Sequence, residues 1–124
     1  LCLDLDRFKH VNDTLGHPVG DALLRAVTVR VQAELRDTDM LARLGGDEFA
    51  IIQSQVATPD AAVSLASRLV ETLCAPFALD GHEVKIGTSI GIALAPQDSA
   101  QADTLFKCAD MALYEAKAGG RNRW

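Results

Sequence analysis

Hydrophobic and polar residues alternate in three segments of the chain, and this alternation predicts β-strands. The first segment is residues 1–6, whose last two polar positions are carboxylates. In the second, apolar residues flank Gly45-Gly46, and adjacent glycines give the backbone the freedom that a tight hairpin needs. The third covers residues 84–94 after a turn signal at Asp80-Gly81, with bulky side chains on one face and small ones on the other. We expect a helix to approach that small face closely and the strand to be central in its sheet.

A period of three to four residues in the apolar positions predicts three helices. A polar loop, residues 9–20, leads into the first helix, whose leucines and valines recur four residues apart until near Asp37. The second begins at residues 58–60, where Thr-Pro-Asp supplies a cap, a first-position proline and a first-turn acid, and it stops before Pro76. The third spans about residues 102–118, and a glycine pair caps it.

The element order β-α-β-β-α-β-β-α contains the βαββαβ plan of ferredoxin-like domains, an α/β (α+β) class with a mainly antiparallel central sheet flanked by helices. Two hairpins disfavour a parallel doubly wound sheet. In this plan the first strand and the first hairpin are neighbours, so Asp4 and Asp6 are expected near Asp47 and Glu48.

Length and composition favour a small soluble domain. We expect the 124 residues to form one domain, residues 1–124. The chain is 48% hydrophobic and 23% charged, and no apolar run approaches the ~20 residues of a membrane span. A net charge of -5 disfavours a nucleic acid polymer as partner and favours a small molecule. The three cysteines lack metal-binding spacing and are expected to be buried free thiols of a cytoplasmic protein.

The acids at the predicted hairpin are the first candidate chemistry. Carboxylates held close together repel unless a proton or a cation intervenes, so a hard divalent cation such as Mg²⁺ is a natural ligand for Asp47 and Glu48. From the spacing alone, an exposed acidic turn without function fits equally well. A solvated strand end likewise fits Asp4 and Asp6 taken by themselves.

Several short motifs change that balance when they are taken together. In chain order they are Asp4-Leu5-Asp6-Arg7-Phe8-Lys9, Asn12-Asp13, Gly16-His17, Gly20-Asp21, Gly45-Gly46-Asp47-Glu48-Phe49, Ser89-Ile90-Gly91-Ile92-Ala93, Tyr114-Glu115-Ala116-Lys117 and Gly119-Gly120-Arg121-Asn122. In this order and spacing they resemble the GGDEF family of diguanylate cyclases across essentially the whole chain. The resemblance implies condensation of two GTP molecules into cyclic di-GMP and pyrophosphate, with two metal ions, Mg²⁺ or Mn²⁺. It also implies a fold related to nucleotide cyclases and polymerase palms.

The resemblance implies roles for the acids. Asp4, the backbone carbonyl of Leu5 and Asp47 hold the metals, and Asp47 or a metal-bound hydroxide accepts the proton of the attacking ribose 3′-hydroxyl. Glu48 is a further acid beside them, and Lys9 steadies phosphate charge.

It also implies a substrate site. Backbone N–H groups around Arg7 and Phe8 cradle phosphate oxygens. Asn12 and Asp21 select guanine, because a carboxylate accepts hydrogen bonds from guanine N1–H and the N2 amine together. The other implied substrate contacts are His17, for which a structural loop histidine is the alternative, Gly45 and Gly46, which leave room for the nucleotide, and Lys117 and Arg121, which contact the triphosphate.

Arg36 and Asp39, with five residues between Asp39 and Gly45, match the family's RxxD inhibitory site, which predicts feedback by cyclic di-GMP, with Arg68 as a secondary contact. A surface Arg/Asp pair is the alternative.

The family's usual helical segment before the first strand is missing, and the C-terminal residues resemble a junction to an EAL phosphodiesterase domain. Because each site holds one GTP, the resemblance implies a homodimer, and no membrane insertion by the domain. A silent module that binds GTP or cyclic di-GMP, or a generic Mg²⁺-nucleotide domain, is the alternative function.

Overall fold

The structure is a computed structural model that describes all 124 residues. Its elements, in chain order, are β1 (Cys2–Asp6), α1 (Phe8–Leu15), α2 (His17–Glu34), β2 (Met40–Gly45), β3 (Glu48–Ile52), α3 (Pro59–Cys74), β4 (Phe77–Leu79), β5 (His82–Val84), β6 (Gly87–Gly91) and α4 (Ala102–Ala118).

The central sheet has four antiparallel strands in the order β2-β3-β1-β6, and β4 and β5 form a separate two-stranded hairpin. A hairpin joins β2 and β3, and helices lie between β1 and β2 and between β3 and β6 along the chain. This gives the predicted ferredoxin-like arrangement. The α/β class with an antiparallel sheet flanked by helices is thereby confirmed. Since β1 lies between β3 and β6, the acids that end β1 are next to the hairpin that joins β2 and β3.

The core lies between one face of the sheet and helices α2 and α3. Leu3 and Leu5 of β1 point into it and are fully buried, as are Val27 of α2 and Leu69 of α3. The opposite face of β1 carries Cys2, Asp4 and Asp6, and α4 packs there through a small second cluster formed by Cys2, Ala109 and Leu113. The alternation along β1 therefore separates an apolar core face from an acidic face under α4.

Residues 9–20, predicted as a polar loop, are helical instead. Arg7 adopts a left-handed conformation (φ 60) and starts α1, while Gly16 (φ 86) separates α1 from α2. Phe8 and Val11 are the buried positions of α1, and they pack into the main core. α1 is only eight residues long and contributes two buried positions, so the segment is too short for a helical period to stand out among its polar residues.

The long strand predicted over residues 84–94 is interrupted. β5 pairs with β4, whereas β6 starts at Gly87 and joins the central sheet. The expectation of a central strand is wrong, because β6 lies at the edge of that sheet. Its edge is nevertheless covered: the Ile90 N–H donates to the Arg123 carbonyl (2.9 Å), and the Arg123 N–H donates to the Thr88 carbonyl (3.1 Å).

The cysteines are all free, but only Cys2 is buried. Cys74 is exposed at the end of α3 and Cys108 is half-buried, so the expectation of three buried thiols is wrong. None of the helices combines the length and the apolar character that a bilayer crossing requires.

Candidate functional site

The first strand and the first hairpin bring the predicted acids together. Asp4 lies directly opposite Glu48 in the antiparallel register of β1 and β3, which puts both side chains on the same face of the sheet. One step further, the Leu5 N–H donates to the backbone carbonyl of Asp47 (3.2 Å). The charge of the Asp47 carboxylate also raises the pKa of Asp4, so the hairpin tip and the end of β1 form one acidic site.

The hairpin tip is held by a residue that the motifs did not single out. The guanidinium Nε of Arg43 donates to the Gly46 carbonyl (2.9 Å) across the turn. Gly46 is left-handed (φ 51), which an L side chain rarely adopts, and a Cβ added at either glycine would meet no atom within 4 Å. The open space beside the glycines leaves room for a ligand. The only signal for Arg43 in the sequence is its position two residues before the glycine pair.

Asp6 differs from Asp4 although the two are neighbours on one face. One of its carboxylate oxygens accepts a hydrogen bond from the Ser89 hydroxyl (2.7 Å), and the other accepts the Asn122 N–H (2.9 Å). Gly87 leaves space for this contact, because a Cβ there would lie 2.9 Å from the carboxylate. With both oxygens occupied, Asp6 anchors the C-terminal turn to the sheet.

Asp4 is the electrostatically strained member of the site. Its burial is the main reason that its pKa is raised, and the charges of Asp47 and Asp6 raise it further. A hydrogen bond from Lys117 opposes these effects: the Lys117 Nζ lies 2.8 Å from Asp4 Oδ2. The site therefore favours a cation beside Asp4.

Replacing Asp4 by Asn is expected to stabilise the metal-free fold at neutral pH. A carboxyl whose pKa is raised on folding binds protons more tightly in the folded state, so its charge costs stability above its unfolded pKa. Wild type should therefore gain stability relative to Asp4→Asn as the pH falls from neutral toward the ordinary pKa of 3.8. Melting temperatures of both proteins in chelator across this range test it. If the wild type instead loses stability relative to Asp4→Asn as the pH falls, the predicted direction of the effect is wrong.

The predicted guanine contacts lie at the junction of α1 and α2. Gly20 has no room for a side chain, because a Cβ there would lie 1.9 Å from the Asn12 Oδ1. The Asn12 amide is thus packed against the residue that precedes Asp21. Asp21 is exposed and lines a cavity of about 230 Å³, which extends to Arg25 of α2 and Arg43 of β2. A larger cavity of about 610 Å³ between α3, β6 and α4 contains none of the predicted site residues.

The remaining predicted phosphate contacts are cationic or polar groups near chain turns. Lys9 of α1 is exposed, and His17 is the exposed first residue of α2. Arg121 is exposed in a left-handed conformation (φ 65) just after α4. Among all the predicted phosphate-binding cations, which include Lys117 of α4, only Lys117 forms an ion pair with a site acid.

The predicted inhibitory motif forms a turn before β2. The Arg36 N–H donates to Asp39 Oδ2 (3.1 Å), while Asp39 Oδ1 has no hydrogen-bond partner. The Arg36 side chain is exposed, and it takes part in no ion pair. Arg68 instead binds Glu34 at the end of α2, through Nε to Oε2 (3.0 Å). The turn lies at the opposite end of β2 from Gly45, about 20 Å away for six residues of strand.

The donor set of the site fits a hard metal ion only in part. No group of three or more His, Cys, Asp or Glu side chains is arranged to hold a metal. Carboxylates of Asp4 and Asp47 are oxygen donors, however, and Mg²⁺ is commonly held by one or two carboxylates together with substrate phosphates rather than by a complete protein cage. The ammonium group of Lys117 on Asp4 shows that a cation is accommodated at this carboxylate.

Comparison with known proteins agrees with this geometry. The sequence profile of the family described as "Diguanylate cyclase, GGDEF domain" matches residues 1–123. The bifunctional diguanylate cyclase/cyclic di-GMP phosphodiesterase MucR of Pseudomonas aeruginosa is 47% identical over 122 residues, 98% of this chain and 18% of MucR. The cyclic di-GMP phosphodiesterase NbdA of the same species is 43% identical over 120 residues, 97% of this chain and 15% of NbdA. The chain thus spans less than a fifth of these relatives.

Solved structures give the same result. The GGDEF domain of TpbB (YfiN) from Pseudomonas aeruginosa superimposes with a TM-score of 0.95 at 41% identity, covering 98% of this chain and 76% of that one. The GGDEF domain of DgcB from Caulobacter crescentus, solved in complex with c-di-GMP, gives a TM-score of 0.88 at 31% identity, with 98% and 72% covered. From its sequence profile, relatives and fold, the chain belongs to the GGDEF family of diguanylate cyclase domains.

Proposed function

We propose that this domain is a diguanylate cyclase that condenses two GTP molecules into cyclic di-GMP and pyrophosphate. The observation that carries the proposal is the convergence of Asp4 with the hairpin acids beside Lys117, because carboxylates can bind a divalent metal and a lysine can contact phosphate. Family membership supports it independently. We assign the chemistry to the cytoplasm, where GTP is abundant.

Asp4, the Leu5 carbonyl and Asp47 would hold the divalent metal, Mg²⁺ or Mn²⁺. Bound there, the metal would neutralise phosphate charge and make the α-phosphate a better target for a ribose 3′-hydroxyl. Asp47 would accept the proton of that hydroxyl, because it sits at the fixed hairpin tip and is less buried than Asp4. Glu48 is exposed on the same face and would add negative charge that draws the cation in.

Guanine would occupy the cavity beside Asp21. The Asp21 carboxylate accepts from N1–H and the N2 amine, and Asn12 presents an amide at the same junction. Adenine lacks that pair of donors, so GTP is the expected substrate and ATP is excluded.

The triphosphate would extend toward the cations and toward the start of α1. Lys9, Lys117 and Arg121 supply positive charge, and the backbone N–H groups after the left-handed Arg7 supply neutral donors at a helix N-terminus. His17, the first residue of α2, would contact the substrate from there. Because these groups form one nucleotide site per chain, two domains must face each other as a homodimer for the two GTP molecules to react.

A silent regulatory module is the second candidate. The observation that favours it is the relationship to NbdA, which is named for phosphodiesterase activity and of which this domain corresponds to 15%. Such a module would bind GTP or cyclic di-GMP and control an attached domain without turnover.

Incubation of the full-length protein with GTP and divalent metal separates the two candidates. A cyclase forms cyclic di-GMP from GTP but not from ATP, and a chelator stops it. A folded, dimeric protein that binds GTP yet forms no product would identify the silent module instead. Mass spectrometry of the nucleotide products is the measurement.

Arg36→Ala is expected to weaken cyclic di-GMP binding by about tenfold or more and to relieve product inhibition. Charge-assisted hydrogen bonds from a guanidinium are worth roughly 1.5–3 kcal/mol each, and the free side chain of Arg36 offers several. Calorimetry with cyclic di-GMP and inhibition curves measure both effects.

The same turn provides a control. Asp37 is exposed between the two motif residues, so Asp37→Asn should leave inhibition intact, whereas Asp39→Asn should weaken it. Equal inhibition in wild type, Arg36→Ala and Asp39→Asn would exclude the site.

A further inference from the structure

The ion pair between Lys117 and Asp4 joins the last turn of α4 to the proposed metal site. Lys117 Nζ lies 2.8 Å from Asp4 Oδ2, and the side chains are 32% and 11% exposed. The other two ion pairs, Arg68–Glu34 and Lys85–Glu83, lie on the surface away from the acids. Lys117 is therefore the one cation that the fold itself brings to the proposed metal ligands.

Charge balance explains why the pair forms. Asp4 is buried and faces the negative charges of Asp47 and Asp6. Asp6 already has a hydrogen bond at each oxygen, from Ser89 and Asn122, so its charge is compensated without a cation. Asp4 has no such donors at its carboxylate apart from Lys117, and a buried carboxylate without a partner is costly.

A metal ion and Lys117 compete for the same carboxylate. A divalent cation bound at Asp4 would face the ammonium group across one oxygen, where like charges repel strongly in a partly buried site. Lys117 occupies Oδ2, so a metal ion at this oxygen displaces it and one at Oδ1 repels it. Metal binding therefore favours departure of the lysine.

Lys117 can leave while its backbone stays in place. Ala116 is buried, and the Arg121 N–H donates to its carbonyl (3.1 Å), so the end of α4 is fixed. The lysine stem has four rotatable carbons and already reaches solvent. Only the side chain has to move.

We propose that Lys117 is a charge placeholder: it neutralises Asp4 when the site holds no metal, and it exchanges onto the nucleotide phosphates when metal enters. This rests on the proposed function, since it takes Asp4 as a metal ligand. It adds that metal binding and the position of Lys117 are coupled. The same lysine then opposes metal alone but favours metal together with nucleotide.

The coupling gives effects of opposite sign when the lysine is neutralised. In the full-length protein, Lys117→Met should bind Mn²⁺ alone about fivefold more tightly, because no ion pair has to be broken. It should bind a GTP analogue with a methylene group between the α and β phosphorus atoms more weakly in saturating Mn²⁺, because a phosphate contact is lost. A lysine that merely stabilised the fold would weaken both.

Calorimetric titration of Mn²⁺ and of the analogue is the measurement, with three matched proteins. Asp4→Asn identifies the metal bound at this site, and in its background Lys117→Met should no longer change Mn²⁺ affinity. Lys117→Arg keeps the charge and should stay closer to wild type. Lys85→Met removes an exposed lysine far from the acids and should have no effect.

Metal-free stability provides a second readout. Without metal, Lys117→Met should lower the melting temperature by roughly 3 °C, since Asp4 loses its cation, and saturating Mn²⁺ should remove that difference. Unchanged or weaker Mn²⁺ binding in Lys117→Met would overturn the proposal, and so would the absence of Asp4-dependent Mn²⁺ binding in both proteins. Neither readout needs cyclic di-GMP formation. A domain that shows both couplings but forms no cyclic di-GMP would therefore refute the proposed function and still support the role of Lys117 as a charge placeholder.

Discussion

Asp47→Asn is expected to lower cyclic di-GMP formation by about 10³-fold while leaving the fold intact. The variant keeps the backbone carbonyl that accepts the Leu5 N–H, so the pairing of β1 and β3 survives. It loses the carboxylate that would both bind metal and accept the hydroxyl proton, and a general base alone contributes roughly 10²–10⁴-fold. Initial rates of product formation, with circular dichroism to check folding, measure the effect.

The second hairpin supplies the matched control. Asp80 precedes Gly81 in the β4–β5 turn, is exposed and left-handed (φ 46), and lies in another sheet. Asn tolerates that conformation, so Asp80→Asn removes one turn carboxylate without strain. Activity that falls equally in both variants, or in neither, would contradict the role of Asp47.

Gly91→Ala is expected to destabilise the domain by about 3 kcal/mol, a large share of the roughly 5–15 kcal/mol that holds a typical domain together. A Cβ at Gly91 would lie 1.9 Å from the Ala109 carbonyl oxygen and 2.3 Å from the Leu113 N, both backbone atoms of α4. Since backbone cannot rotate out of the way, α4 must move off the sheet. That motion would also displace Lys117 from Asp4.

Gly81→Ala separates the steric effect from backbone strain. Gly81 is left-handed (φ 83), but a Cβ there meets nothing within 4 Å, so its replacement should cost only about 1–2 kcal/mol. Urea unfolding of both variants and wild type gives the comparison. A Gly91→Ala protein as stable as Gly81→Ala would show that α4 does not pack as closely as the structure has it.

The sequence predicted those parts of the fold whose signal is local. The hairpin around Gly45-Gly46 and the helices α3 and α4 carry their own boundary residues, and the alternation along residues 1–6 placed Asp4 in the first strand. Thr58 lies at the start of α3 as predicted, but its side chain makes no capping hydrogen bond. The close approach of α4 to the small face of β6 also followed from the pattern, and Gly91 confirms it.

The remaining features depend on distant contacts, which local patterns do not encode. The alternation of buried positions continues through Val84 and Ile86, although the chain changes sheets there. The edge position of β6 follows from its pairing with β1 alone, and the cover over that edge comes from Arg123 at the far end of the chain. The separate role of Asp6 depends on Ser89 and Asn122, which are more than eighty residues away.

For the candidate site, the motifs and the family resemblance nominate Asp4, Asp47, Asn12 and Asp21, because neither needs coordinates. The Lys117–Asp4 pair could not be foreseen, since the lysine was assigned to phosphate and only the packing of α4 on β1 brings it to the acid.

The stoichiometry of the reaction tests the central claim most directly. Full-length wild type with GTP and Mg²⁺ is expected to release two pyrophosphates for each cyclic di-GMP, with Asp47→Asn as the inactive control. Quantification of both products by chromatography and a pyrophosphate assay gives the ratio. A folded, dimeric protein that forms no cyclic di-GMP, or forms it equally well with Asn at position 47, would contradict the account.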